Sequence, residues 1–310
     1  MQKLASGLEV PTPGRLAVST SDAQEAIRTE IGEMVFPFQE ESFLLGMCTV
    51  REGLIGDFQI PTITRGAIAP SAVAEGATTN PQDPGIGGPK LSPTTLSVTV
   101  ELTNLSMRQT DGVLETSVIE LVMEEIGYAI DSMIVAGTGA ANKVPGILST
   151  AGRNNLPAIA ANMTLTWAGI QRVIREAITD RIVAPNGRVP GAVFVIDGRI
   201  QEELKSTIKS SRVAGAANAP QANRDQFVME ENGMIDNYPT YVTGIMARSA
   251  TDHRMLFGRF GEVWVGFWGD VQIYRNAITQ PGTTRITFQI WWDVKIPRPE
   301  SFVDQPRTTT

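Results

Sequence analysis

One stretch, Thr110 to Val135, limits what this chain can fold into more than any other. It reads TDGVLETSVIELVMEEIGYAIDSMIV and stops at Gly137-Thr138-Gly139. Leu114, Val118, Leu121, Val122, Ile126, Ala129, Ile130 and Met133 recur at three- and four-residue spacing, which is the helical period and gives one continuous apolar stripe. Glu115, Glu120, Glu124 and Asp131 are expected mostly on the other, solvated side. Thr110 or Asp111 can cap the start, because a short oxygen side chain accepts from the free amides of a first turn. The glycines close the end, since glycine takes the left-handed geometry that terminates helices. At about 1.5 Å of rise per residue the rod spans roughly 37 Å. The chain offers it no heptad partner, so it reads as the spine of a flat, elongated subunit.

The remaining elements are arranged around this rod. Residues 1–19 are rich in Pro, Gly, Ser and Thr and carry no period, as an extended arm would. Ser21 to Val35 reads as a short helix, with Ser21 and Gln24 fitting a capping box. Prolines at 61, 70, 81, 84, 89 and 93 and glycines at 66, 76, 85, 87 and 88 interrupt the next region. A structureless loop of that length is improbable in a compact domain. It reads as a hairpin that leaves the body and rests on another subunit, with a disordered loop as the alternative. Strand fragments flank it at Phe58 to Thr64 and Thr94 to Leu102, where LSVTVEL alternates with period two.

Beyond the spine, Leu165 to Ile182 is a second amphipathic helix with Thr166 as candidate cap, AVFVID (Ala192 to Asp197) a buried strand, and Ile200 to Ser210 a third helix. Ser211 to Arg224 reads as a loose tip. From Tyr238 the chain turns β-rich, through PTYVTGIM, GEVWVGFW, VQIYRN and TRITFQIWWDVKI, to IPRPESFV and a Thr-rich tail.

Composition closes several function classes. The net charge of -7 argues against general nucleic-acid affinity, which needs clustered Lys and Arg. It leaves open a container whose inner wall merely tolerates DNA. With one cysteine, Cys48, and one histidine, His253, no intrachain disulfide forms, and a zinc site of the usual kind lacks its ligands. No apolar run has membrane-spanning length and no signal peptide opens the chain. A soluble product made in a reducing cytoplasm is expected, with no cofactor, no metal and no membrane partner. Cys48, beside Leu44, Leu45 and Met47, reads as a buried structural thiol, and His253, in SATDHRM, as a solvated loop residue. GTGAAN follows a helix and no GK[ST] accompanies it, which rules against a phosphate loop. Glu124, Glu125 and Asp131 read as a solvated acidic face. No catalytic residue is assigned.

Several local motifs fall in a telling order: Ala74-Glu75-Gly76 in the extended loop, a strand and long acidic helix, Gly137-Thr138-Gly139 through Pro145-Gly146-Ile147, a helix followed by AVFVID, Phe257-Gly258-Arg259-Phe260, and Arg298-Pro299-Glu300-Ser301-Phe302. In that order they resemble the major capsid proteins of tailed phages, the Hong Kong 97 fold, over nearly the whole chain after the arm. The resemblance implies an α+β subunit with an N-terminal arm (1–55), an extended loop (56–95), a peripheral domain carrying the spine (96–148 and 256–310) and an axial domain (149–255). It implies hexamers and pentamers in an icosahedral shell enclosing double-stranded DNA, located in the virion and made in the host cytoplasm. The implied partners are other copies of the chain, a portal protein, separate scaffolding and decoration proteins, and non-specifically packaged DNA.

Subunit-interface candidates are Phe36, Phe38, Glu75, Lys90, Arg298 and Glu300. Some relatives join a loop lysine to a neighbour's asparagine with a glutamate assisting. Lys90 fits the lysine, but Gly282 and Gln289 occupy the other two positions, so no isopeptide bond is expected. Met1 lies within a few dozen residues of the matched pattern, so scaffolding is expected to be a separate protein or absent. Two other classes are an encapsulin-type compartment, which shares the fold and houses enzymes, and a soluble hydrolase using Cys48 as nucleophile.

Overall fold

In the computed structural model the long rod is a 24-residue helix, Val113–Ala136. The structure describes residues 42–63, 72, 82, 85–110, 113–140, 143–160, 165–179, 187–209, 227–246, 249, 251–277 and 282–308. In chain order the elements are α1 (Leu44–Met47), β1 (Thr49–Arg51), β2 (Phe58–Gln59), β3 (Thr62–Ile63), β4 (Ile86–Gly87), β5 (Lys90–Leu91), β6 (Thr94–Thr103), α2 (Asn104–Gln109) and the spine α3. Then come β7 (Asn154–Asn155), α4 (Trp167–Thr179), β8 (Val193–Ile196), α5 (Gly198–Ser206), β9 (Met234–Ile235), β10 (Tyr238–Val242), β11 (Asp252–Gly258), β12 (Trp264–Phe267), β13 (Gln272–Asn276), β14 (Thr283–Lys295) and β15 (Phe302–Thr308).

Two sheets organise these elements. In the five-stranded sheet β14 is the hub: β6 runs antiparallel along one side, and β13 and β12 pair with successive parts of the other. Period-two alternation explains its faces. Leu96, Val98 and Val100 stand opposite Ile290, Phe288 and Ile286 in register. That face joins Val122, Ile126, Ile130 and Ile134 of α3 in one core. Each such side chain stabilises the layer by about 1.5–3 kcal/mol relative to exposure. The opposite face is polar: Thr99 and Thr287 share a hydroxyl hydrogen bond of 3.0 Å, and Arg285 pairs with Glu101.

The six-stranded sheet has the order β7-β15-β11-β8-β10-β9. It packs with α4, through Ile170, Val173, Ile174 and Ala177, and α5, through Ile200 and Leu204, in a second core. Helix α4 fits the expected element, and Thr166 Oγ1 accepts from Gly169 N at 3.4 Å. Asp197 caps α5 by accepting from Arg199 N.

Four expectations are corrected. Thr110 does not cap the spine; its N–H and hydroxyl both bond Ser106 O and close α2. Asp131 is not solvated but 1% exposed. His253 is not in a solvated loop but buried on β11. The expected tail is a strand as far as it is described: Phe302–Thr308 pairs with β11 from Gly258↔Phe302 to Asp252↔Thr308. Residues 252–258 and 302–308 therefore lie together in the six-stranded sheet. The arm helix, the Ala74-Glu75-Gly76 element and the loose tip at Ser211 to Arg224 fall outside the described residues.

Candidate assembly surfaces

The extended loop is anchored before it becomes exposed. Leu54 N donates to Phe267 O at 3.1 Å, and Trp268 Nε1 donates to Gly56 O at 2.6 Å. On the return side Leu91 is fully buried and Ser92 N donates to the Asp293 carboxylate at 3.0 Å. Two short antiparallel ladders form the stem: Phe58↔Leu91 with Gln59↔Lys90, then Thr62↔Gly87 with Ile63↔Ile86. Ile63 and Ile86, register partners, are 64% and 75% exposed, and Ile55 is 97% exposed. Branched apolar side chains are thus held on a built stem and left largely exposed among the described residues.

Lys90 lies on the stem, and its Nζ sits 2.5 Å from Asp57 Oδ2. That bond holds the Asp57 carboxyl below the usual carboxylate range. Gly282 and Gln289 lie elsewhere in the fold, at the start and middle of β14, and Gln289 pairs with Ser97 and Gln272.

The closing Arg298-Pro299-Glu300-Ser301-Phe302 motif sits where the two sheets meet. Arg298 Nη1 lies 3.6 Å from Glu262 Oε1, and Asn154 Nδ2 donates to Glu300 O at 3.3 Å. Phe302 is fully buried and meets Phe260 edge-to-face at 5.5 Å. It lies so close to Gly258 that a Cβ there would overlap its ring and stand 2.8 Å from Ser301 O. The structure thus places Arg298 and Glu300 in the turn between β14 and β15, each with a different partner, and Lys90 on the stem. Phe36, Phe38 and Glu75 are outside the described residues.

The spine ends in a return turn. Gly137 N donates to Met133 O at 2.8 Å, Gly146 N to Gly137 O at 2.9 Å, Ile147 N to Ile134 O at 2.8 Å and Leu148 N to Val135 O at 2.9 Å. The carbonyls that a helix end leaves free are therefore met by the returning strand. Beside this turn a cleft of about 270 Å³ is lined by Leu96, Met133, Ala136, Val144 and Trp292, among others.

Three buried polar groups escaped sequence reasoning. Asp131 Oδ2 accepts from Phe43 N at 2.9 Å and Leu44 N at 3.2 Å, which satisfies the start of α1. Burial pushes its pKa up, outweighing those amide bonds. His253 Nδ1 lies 2.5 Å from Asp197 Oδ2. Asp304, with no exposed surface, takes Arg254 Nη1 at 2.6 Å with Arg153 Nη2 at 3.6 Å. Polar residues inside an apolar run were the available signal, and it does not say which of them find buried partners.

Nothing in this geometry favours catalysis. Burial, with a smaller contribution from Asp131, pushes the Cys48 thiol up to about 12, whereas a nucleophilic cysteine needs a lowered value. Among the described residues no cluster of three or more His, Cys, Asp or Glu is arranged to hold a metal. None of their helices is long and apolar enough to cross a membrane.

Comparisons with known proteins point the same way. A model of the phage capsid family matches residues 23–304. The fold is similar to the capsid of a native GTA particle (TM-score 0.67, 11% identity, covering 95% of this chain and 99% of that one). It is also similar to a structure from Mycobacterium phage Ogopogo (TM-score 0.65, 15% identity, 94% and 100%) and to the capsid of Myoviridae phage XM1 (TM-score 0.65, 12% identity, 93% and 98%). No curated protein sequence matches.

Proposed function

The chain belongs to the phage capsid family, and from that premise we propose how it builds a head. It is a major capsid protein, structural and not enzymatic, that assembles with copies of itself into the shell of a virion. The mechanism is association. Each copy contributes modest contacts, and multivalency makes the closed shell hard to dissolve.

In our reading the subunits form hexamers and pentamers of an icosahedral head around double-stranded DNA. The arm (1–55) and extended loop (56–95) order on neighbouring copies, the spine and five-stranded sheet act as the peripheral domain, and the six-stranded sheet meets its copies at the five- and six-fold axes. Phe36, Phe38, Glu75, Lys90, Arg298 and Glu300 are the interface residues of this scheme. A portal, a separate scaffolding protein and decoration proteins complete the assembly, which takes place in the host cytoplasm. The net charge of -7 keeps packaged DNA from adhering to the wall. No covalent cross-link is involved, because neither Gly282 nor Gln289 supports the chemistry.

The observation that carries this reading is the Ile63–Ile86 pair, exposed at the end of an anchored stem. Apolar surface displayed on a built element marks an interaction site. Deleting residues 66–89 tests it. The expected product is a soluble subunit that makes no shells in negative-stain micrographs, and normal shells from the deletion would overturn the role of the loop.

A further inference from the structure

The root of the N-terminal segment is gripped from two directions. On one side lies the spine. Asp131, in the C-terminal half of α3, is 1% exposed and turns its carboxylate onto the N–H groups of Phe43 and Leu44. On the other side lies the six-stranded sheet. Tyr241 of β10 stacks on the Phe43 ring with centroids 5.4 Å apart and planes 17° from parallel. Leu44, between the two grips, is fully buried in the core that contains the spine face. Residues 42–45 therefore touch both layers of the subunit at the point from which residues 1–41 lead off.

A buried carboxylate is an expensive way to hold two amides. An isolated charge loses its hydration, and here both amides fall on Oδ2 while Oδ1 has no hydrogen bond of ordinary length. A helix face that sought only stability would carry an apolar residue at 131. The arrangement makes sense as geometry. Two amides on one carboxylate oxygen fix the backbone direction at Phe43 and Leu44, which apolar contact alone leaves free to pivot.

We propose that Asp131 and Tyr241 form a two-point clasp that fixes the backbone at Phe43–Leu44, and that assembly with neighbouring copies depends on it. Asp131 is then a positioning residue for assembly. This rests on the capsid reading for its consequence, while the clasp itself is open to direct measurement in the isolated subunit.

The test uses the full chain in four forms: unchanged, Asp131→Leu, Asp131→Asn and Tyr241→Ala. Leucine fills the same space without an acceptor, whereas asparagine keeps an oxygen that both amides can reach. Amide hydrogen exchange at Phe43 and Leu44, in unassembled subunits, reports the clasp. Sedimentation of assembly reactions, at equal concentrations of folded subunit, reports its consequence. Asp131→Leu is expected to speed exchange at both amides at least tenfold and to cut particle yield at least tenfold. Asp131→Asn is expected to restore both, and Tyr241→Ala to lower yield with Leu44 still protected. If Asp131→Leu fails to fold, the comparison of Tyr241→Ala with Asp131→Asn decides alone. Wild-type yields from Asp131→Leu or from Tyr241→Ala would overturn the proposal. Protected amides in an unchanged chain that never forms particles would instead overturn the capsid reading and leave the clasp standing.

Discussion

Replacing Gly146 by alanine tests how the spine is terminated. A Cβ at this position would stand 2.6 Å from Met133 O and 2.8 Å from the Val135 carbonyl carbon, and nearer still to Gly137 N. All three are backbone atoms, so no side chain can swing away, and the returning strand must retreat. The bonds at risk are Gly146 N to Gly137 O, Ile147 N to Ile134 O and Leu148 N to Val135 O, at 2.8–2.9 Å. Each is worth about 1 kcal/mol net, and overpacking adds about 1–3 kcal/mol. The expected loss is about 4–6 kcal/mol, equivalent to a fall in Tm of about 10 °C for a body of this size. Gly187→Ala is the control: its φ of +73° is strained for alanine, but no described residue lies within 4 Å of an added Cβ, so it should lose only about 1–2 kcal/mol. Thermal denaturation of unassembled subunits, followed by circular dichroism, gives both values. A Gly146→Ala subunit as stable as Gly187→Ala would refute the reasoning that the return turn caps the spine.

Four further outcomes follow from the same structure. With a pKa of about 12, Cys48 is ionised in only about 1 molecule in 10⁴ at pH 8, so a thiol reagent should label it about 10³-fold more slowly than the unfolded chain; comparable rates would show that this half-buried thiol is not desolvated as described. The double change Ile63→Lys with Ile86→Asp should leave the unassembled subunit's unfolding free energy, from urea denaturation, within about 0.5 kcal/mol of the original, as exposed positions do, while abolishing particles in sedimentation. Asp131, with a pKa raised above 3.8 by burial, contributes stability that is full below that value and lost as pH rises through the raised one. Asp131→Asn should therefore gain on the original as pH goes from 4 to 7, read by urea denaturation at each pH; a constant difference would count against a buried carboxylate. Particles boiled in SDS should run as single subunits, and a covalent ladder would contradict the absence of a cross-link.

The elements that read clearly in the sequence are those whose burial obeys one period. The spine's three- and four-residue spacing, the alternation of LSVTVEL and the apolar AVFVID each match an element within a few residues. The GTG and PGI pieces are legible for a different reason: only glycine permits backbone contact as close as that between Gly137 and Gly146. What was missed has one physical cause. In β11 and β15 the alternation is broken by Asp252, His253, Arg254, Asp304 and Arg307, which look like loop residues. They find buried partners instead, Arg254 with Asp304 on the neighbouring strand, Arg307 with Glu203 of α5 and His253 with Asp197, the cap of α5. Asp131 is the same case on a helix. Spacing alone put it with the exposed glutamates, and only the fold shows that the amides of Phe43 and Leu44 take the place of water. The stem was legible as punctuation by proline and glycine, but its exposed isoleucines stand out only once the ladders place them outside both cores.

The ladder between β6 and β14 has a mechanical corollary. It is unbroken from Thr283↔Thr103 to Trp292↔Thr94. Tension directed along the strands shears every rung of it together. Tension across the strands opens the same rungs singly, from one end. A sheet built this way is anisotropic in its own plane, rigid along β14 and yielding at right angles to it, so a wall assembled from copies of it would withstand pressure from within according to how β14 is oriented in each.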